Sequence, residues 1–426
     1  MKEDLLHYFW RTKKWGNYKL KTTTGEPIEI IYQGDFNTDQ GPDFNFAKIK
    51  IGSTLWNGKV EMHIDSSDWI VHEHIHDPQY KNVVLHVVWN HDAEIIVQGI
   101  PLPTLELKAY ISEDELKHYS DLILNAEIIP CAKQIKKVPT SIIISELEEN
   151  SIQRIQSKIQ KLESELFESQ QNWNFLLFKY FARYLMGPVN AIAMDNLISR
   201  ITFPQLMRSS DSLENLEAIL LGTAGLLDDS DNTVLMSKLN QYYSHFQRKF
   251  NIQTMEKENW YFARIRPASF PTLRLAQLAS CLFSNKLQLD IIIQMNYVSE
   301  VYKHFSNSVS EYWQTHYRFS QSKNKPINGR IGRDTLNVII INALVPLLYL
   351  YGKLNFQDSI CQKSIQWLEE ISPEKNKITK IYTQLGVMVD NSRLSQGCLE
   401  QYYKKCTLKK CTECKIGHTL LKGSYS

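Results

Sequence analysis

Several things are scarce in this chain of 426 residues. Excess charge of one sign is the first: Lys+Arg total 48 against Asp+Glu 46, a formal +2. That excludes a uniformly basic nucleic-acid binder, so any anion-binding surface has to be local. Cysteine is the second. Seven is an odd number for so long a chain, which excludes a disulfide framework and leaves reduced thiols or metal thiolates. Long apolar runs are the third: the best, Val338 to Tyr351, is too short to span a bilayer and holds Pro346, so it reads as a buried helix with no membrane contact. The start, Met1-Lys2-Glu3-Asp4-Leu5, has two acids and no apolar secretory core, and a cytoplasmic location is expected. No fixed-period repeat is visible, which excludes a solenoid. Neither a Walker A nor a Rossmann fingerprint is present, so nucleotide hydrolysis has no support.

What is there is ordinary globular material, 43% hydrophobic and 11% aromatic, in a length that calls for two or three domains. The pattern changes near residue 130. Before it, short runs alternate with period 2 between Gly, Pro, Asn and Asp: Ile28–Tyr32, Phe46–Ile51, Leu55–Ile64, Val83–Trp89, Ile95–Val97 and Thr104–Lys108. Helices are expected around Leu5–Trp10 and over Glu113–Leu124. Residues 1–130 therefore read as an α+β domain with a mixed or antiparallel sheet and flanking helices. From 139 to 426 the period becomes 3.6. Ile152, Ile155, Ile159, Leu162 and Leu166 make a stripe, with Thr140 or Ser141 as its cap. Further helices are expected over Phe175–Leu185, Leu213–Leu221, Thr233–Phe246, Thr272–Phe283, Leu287–Phe305, Val338–Tyr351 and Asp358–Glu370, an all-α domain of eight to ten helices.

The chemistry concentrates in the first domain. In a strand over 55–64, alternation puts Asn57, Lys59, Glu61, His63 and Asp65 on one face, and Val60, Met62 and Ile64 on the other. A hairpin about Gly52-Ser53 would bring Asp43, in Gly41-Pro42-Asp43-Phe44, beside Glu61 or His63. Two carboxylates from neighbouring strands are hard oxygen ligands for Mg²⁺ or Mn²⁺ and leave positions for water and a phosphate oxygen. Six of the 12 histidines fall between 63 and 91. His86 sits inside an apolar run, where an unpaired imidazole is costly and needs a partner. His63, His72 and His86 are the candidates for a site role, whereas His74 and His91 read as solvated loop residues. A zinc site built on His72, His74 and His76 is a further reading.

Two resemblances follow from these residues. Pro42-Asp43 followed across a hairpin by Glu61-x-His63 resembles the PD-(D/E)xK nuclease superfamily. The resemblance implies a restriction-endonuclease-like fold, metal ligation by Asp43 and Glu61, and cleavage of DNA or RNA. His63 stands where that pattern has lysine, and a histidine does not copy a fixed ammonium; Lys59 on the same face is the substitute. The wider set, from Asn37 through Trp56-x-Gly58-x-Val60-Glu61-x-His63, Asp68-Trp69, His72-x-His74 and Leu85-His86 to Arg264-x-Arg266-Pro267-x-x-Phe270-Pro271-Thr272-x-Arg274 and on to the last cysteines, nearly the whole chain, resembles the bacterial family of unknown function numbered 2851. That family implies no activity. A non-catalytic binding module on the same fold is the alternative function.

Near the end, Cys398, Cys406, Cys411 and Cys414 crowd into one segment with five lysines. Cys-x2-Cys spacing suits structural zinc, and four thiolates also suit an iron–sulfur cluster. The fourth ligand is open among Cys398, His418 and Cys131; one upstream cysteine with three near the C-terminus resembles the cluster-bearing subset of the nucleases, which points to Cys131. Arg264, Arg266 and Arg274 surround a proline turn leading into a helix. They are expected either at an anion site for a nucleic-acid backbone or paired with acids.

Overall fold

Period-2 alternation becomes a seven-stranded mixed sheet in the computed structural model, which describes residues 3–37, 40–123, 129–227, 233–319, 323 and 325–422. The strands are β1 (Leu20–Lys21), β2 (Pro27–Tyr32), β3 (Asp35–Phe36), β4 (Phe44–Ile51), β5 (Thr54–Asp65), β6 (Val83–Asn90) and β9 (Thr104–Glu106); β7 (Ile96–Val97) and β8 (Ile100–Pro101) form a separate ribbon. The sheet order is β1-β2-β4-β5-β6-β9, with β3 also beside β4. β2, β4 and β5 run antiparallel, then β6 lies parallel to β5 and β9 parallel to β6. The β4–β5 hairpin closes between Ile51 and Thr54, with Gly52 at φ +59° as so tight a turn requires. β6 is buried from Val83 through Trp89, as befits a parallel strand covered on both faces. At Gly58 an added Cβ would stand 2.4 Å from Val84, so β6 closes on β5 there only because the position has no side chain.

A parallel pair needs a crossover. Here it holds α2 (Asp68–Val71) and helical turns at His74–His76 and Pro78–Tyr80, and its irregular path carries several histidines to the edge of β5. Helix α1 (Glu3–Thr12) buries Leu5, Leu6, Tyr8, Phe9 and Trp10. Trp10 meets Phe44, and Phe9 stacks on Trp89. Helix α3 (Glu113–Ile123) follows the sheet; Leu124, the expected end of that helix, lies outside the described residues.

The chain divides into two compact units, Met1–Glu146 with Tyr402–Ser426, and Leu147–Gln401. The sequence reading gave all of 139–426 to the helical part; the last segment instead groups with the sheet. In the helical unit, Ile155, Ile159, Leu162 and Leu166 of α4 (Thr140–Glu168) are all buried. The expected helix over 175–185 extends through Trp173–Arg200 and breaks at Gly187, where φ 74° precedes Pro188. The one expected over 287–305 is two short helices, Leu289–Gln294 and Val298–His304. The apolar run 338–351 lies in a continuous helical stretch, Arg333–Leu354, that takes a wide turn at Ile340–Leu344 just before Pro346, where a missing backbone N–H is tolerated. Of its most apolar window 67% is buried, which marks a core helix.

Candidate metal centre

The hairpin brings its two carboxylates together. Glu61 Oε2 accepts the backbone N–H of Asp43 at 3.1 Å, and Asp43 Oδ2 accepts the backbone N–H of Met62 at 2.9 Å. Each carboxylate is thus held by the backbone of the other's strand segment. Around Glu61 stand imidazoles: His63 Nε2 is 3.5 Å and His74 Nε2 3.4 Å from Oε1. His72 Nδ1 lies 3.2 Å from His63 Nε2. One nitrogen from each of His63, His72 and His74 falls within 4.8 Å of the others. His74, read from sequence as a solvated loop residue, stacks on Tyr80 at 3.8 Å between ring centroids and faces the site. The side chain of His76 lies outside the described ones.

Two residues of the site were missed by sequence reasoning. Helix α1 contributes Glu3 and His7, one helical turn apart on the same face, and His7 Nε2 lies 3.2 Å from Asp43 Oδ2. The available signal was that (i, i+4) acid–imidazole pair on an amphipathic helix. Glu3 feels the fields of Asp43, His7, His72 and Asp68, which places it at the same centre.

Protonation follows from burial and crowding. Desolvation first, then the neighbouring Asp43 charge, pushes Glu61 up to about 9. Burial first, and then the nearby imidazoles, pulls His63 down to about 2 and His86 to about 3. Burial also lowers His74. For His7 burial acts downward, but the hydrogen bond and charge of Asp43 with the charges of Glu3 and Asp4 outweigh it, and its pKa is raised. Burial thus leaves His63 and His86 neutral with lone pairs to offer, and makes Glu61 hold a proton beside the Asp43 side chain, a proton that a divalent cation bound to this donor set would displace.

The remaining sequence candidates divide. His86, paired in register with Glu61, is fully buried and reaches His63 Nδ1 through Nε2 at 2.9 Å, so it touches the site from behind. Lys59 donates to the carbonyl of Gln79 at 3.2 Å, along the crossover. Arg264 and Arg266 are exposed in the helical unit. Arg274 is buried there: its guanidinium donates to Gln277 at 2.9 Å and Thr335 at 3.0 Å, and burial lowers its pKa to about 10. Gln277 in turn donates to the carbonyls of Gly329 and Arg330, which ties their helix to the segment Asn328–Arg333 in the same unit. All seven cysteines lie among the described residues and none is in a disulfide. Cys131, Cys406, Cys411 and Cys414 belong to the sheet-bearing unit and Cys398 to the helical one. The lysine-rich tail is partly neutralised: Lys405 pairs with Glu146 at 2.6 Å and Lys410 with Glu413 at 3.3 Å.

No curated protein and no solved structure matches the chain. A family model described as a protein of unknown function, DUF2851, matches residues 3–377. That span takes in the whole histidine–carboxylate centre and the Arg264–Arg274 segment but ends before the last cysteines, to which the sequence reading had extended the likeness. The chain belongs to the DUF2851 family.

Proposed function

We propose that the sheet-bearing unit is a divalent-metal-dependent phosphodiesterase acting on DNA or RNA. The observation that carries the reading is the convergence of Asp43 and Glu61, Glu61 accepting the Asp43 backbone N–H and Asp43 that of Met62 beside Glu61, with His63, His72 and His74 grouped around them. A mixed sheet with an acid on each of two adjacent strands also supports a restriction-endonuclease-like core. The donor set is richer in imidazole than the sequence reading assumed, which moves the preferred ion from Mg²⁺ toward Mn²⁺ or Zn²⁺.

A bound ion would polarise a phosphoryl oxygen and lower the pKa of a water ligand. Asp43 and Glu61 would hold it, with His63 and His74 completing the set on the buried side. His72 is the exposed imidazole of the three, so it is the one solvent reaches and the better candidate to accept the water proton. His63, fully enclosed, serves as ligand instead. His7 fixes the Asp43 carboxylate from α1.

The test is cleavage of single- and double-stranded DNA and RNA with Mg²⁺, Mn²⁺ or Zn²⁺, comparing wild type with Glu61→Ala and His72→Ala. Glu61→Ala is expected to abolish both activity and binding of the divalent ion at this centre. His72→Ala is expected to lower kcat by ~10²-fold or more while the metal stays bound, the usual scale for a lost general base. Activity that survives Glu61→Ala would sink the assignment, and metal binding without cleavage of any nucleic acid would reassign the unit to a non-catalytic module.

A further inference from the structure

We infer that the helical unit has an oxyanion site of its own, which takes a phosphate monoester at the Arg274 guanidinium, where the helix Pro271–Phe283 and the helical stretch Arg333–Leu354 begin. Arg274 is 6% exposed, and a charge so enclosed calls for a counter-charge. The chain supplies none. Its partners are Gln277 Oε1 at 2.9 Å, Thr335 Oγ1 at 3.0 Å and Ser269 Oγ at 3.4 Å, all neutral, and its Nε donates to nothing among the described residues. Burial is the one cause that acts on its pKa, with no charged neighbour beside it. Of the two roles open to this arginine from the sequence, pairing with an acid is the one the structure does not provide.

The two hydroxyls that accept from Arg274 supply the rest of the site. A hydroxyl whose oxygen accepts an arginine N–H still has its own proton to donate. Among the described residues neither Ser269 nor Thr335 finds an acceptor for that proton. Both residues are half-buried, so a ligand arriving from solvent can meet the two O–H groups and the enclosed cation together. The helix ends act in the same sense. Phe270 and Gly332 occupy the N-cap positions, and neither offers a side-chain acceptor to the first turn. Uncapped N–H groups at the two starts carry partial positive charge that an anion complements.

More positive charge is held at the same helix start. The Thr272 hydroxyl donates to the carbonyl of Tyr317 at 2.5 Å, and the Arg318 guanidinium lies 4.3 Å from the ring centroids of both Phe262 and Phe270. The rings fix Arg318 in place without neutralising it, and its buried Nε has no partner among the described residues. Arg264, Arg266, Arg330 and Arg333 are exposed in the flanking segments. The arginine ion pairs of the described residues are those of Arg154, Arg183 and Arg393, so none of these six is neutralised. The one acid in the segments, Asp334, is exposed. In a chain of net +2 this is a local excess of cations. Its form selects the ligand. A phosphodiester chain is tracked by an open groove with aromatic rings free to stack on bases, and here Phe262 and Phe270 are taken up by Arg318. One enclosed guanidinium behind two hydroxyls suits the compact, dianionic end of a molecule.

The inference does not depend on phosphodiester cleavage, and its readout is binding rather than activity. The full-length chain is titrated calorimetrically with inorganic phosphate and with a short single-stranded oligonucleotide carrying either a 5′-phosphate or a 5′-hydroxyl. EDTA is present throughout, so that no divalent ion at the histidine–carboxylate centre competes for phosphate. One phosphate bound per chain is the expected result. Ser269→Ala and Thr335→Val each remove one O–H with little change of shape and leave Arg274 in place; each should weaken binding ~10- to 100-fold, the scale of a hydrogen bond to a charged group. Thr335→Ser keeps the hydroxyl and should bind as the wild type does, and so should Glu61→Ala. Inorganic phosphate bound at least as tightly as the 5′-phosphorylated oligonucleotide identifies a small phosphorylated molecule as the source. Tighter binding of the oligonucleotide, lost with its 5′-phosphate, identifies a nucleic-acid end. An oligonucleotide bound more tightly than phosphate whether or not it carries the 5′-phosphate would overturn the monoester site. Affinities unaltered in both Ser269→Ala and Thr335→Val, or no saturable binding of any of the three probes, would overturn it equally.

Discussion

His63 meets another imidazole at each ring nitrogen, His86 at Nδ1 and His72 at Nε2. To offer the Nε2 lone pair to a cation, His63 must carry its proton on Nδ1 and donate it to His86 Nε2. His86 is then the group that sets the tautomer, and its place inside β6 makes it immobile. This explains a histidine in the most apolar strand of the protein, whose own Nδ1 has no hydrogen-bond partner among the described residues. Replacing it should weaken the site without touching it. His86→Phe is expected to lower Mn²⁺ or Zn²⁺ affinity ~10- to 100-fold, the usual scale for losing a partner behind a ligand. His86→Gln keeps a polar atom near the position of Nε2 and should recover most of that loss. Calorimetric titration of both variants checks this, and equal affinities for wild type and His86→Phe would remove His86 from the site.

At the scale of elements, burial of one acid creates a pH dependence. The helix Leu213–Thr223 is covered on all sides from Leu216 onward and carries Glu217 at 0% exposure, accepting a hydrogen bond from Ser310 at 2.8 Å. Burial raises Glu217 to about 7 from a model-peptide value of 4.5. A raised carboxyl binds its proton more tightly in the folded chain than in the unfolded one, so stability falls as pH rises from roughly 4.5 to 7 and the full cost holds above that window. The scale is on the order of 3 kcal/mol. Glu217→Gln cannot titrate and retains the acceptor for Ser310. Melting curves near pH 5 and pH 8 should show the wild type losing stability that the variant keeps, and parallel losses would contradict the reading. Strands and helices with strong periodicity were legible in the sequence, because the β4–β5 hairpin and the stripe of α4 are local patterns. Of the metal site, Asp43, Glu61 and His63 along that hairpin, with His72 and His86 beyond it, were legible as candidates. Glu3 and His7 are brought in by the packing of α1, and His74 by the bend of the crossover, which spacing along the chain does not fix. The break at Gly187 was hidden for the opposite reason: the apolar pattern continues through it, and only φ 74° ends the helix.

At the scale of the whole molecule, the sheet-bearing unit is discontinuous in sequence, and its closing segment is fastened by a buried charge. Glu146, 1% exposed, receives Lys405 Nζ at 2.6 Å and the backbone N–H of Lys415 at 3.0 Å; Lys415 Nζ also reaches Ser145 at 3.0 Å. Two points of the final segment therefore converge on the last residues of the first. A buried ion pair is weak evidence of net stabilisation, but losing one partner strands the other charge. Lys405→Met should destabilise this unit by about 3–5 kcal/mol. The double variant Glu146→Met with Lys405→Met removes the stranded charge and should regain much of the stability. Limited proteolysis separates the units: in Lys405→Met, cleavage is expected to accelerate within residues 3–146 and 402–422 while the helical unit, 147–401, stays resistant. Uniform acceleration across both units, or a double variant no more stable than Lys405→Met alone, would show that the pair does not fasten the two ends of the chain.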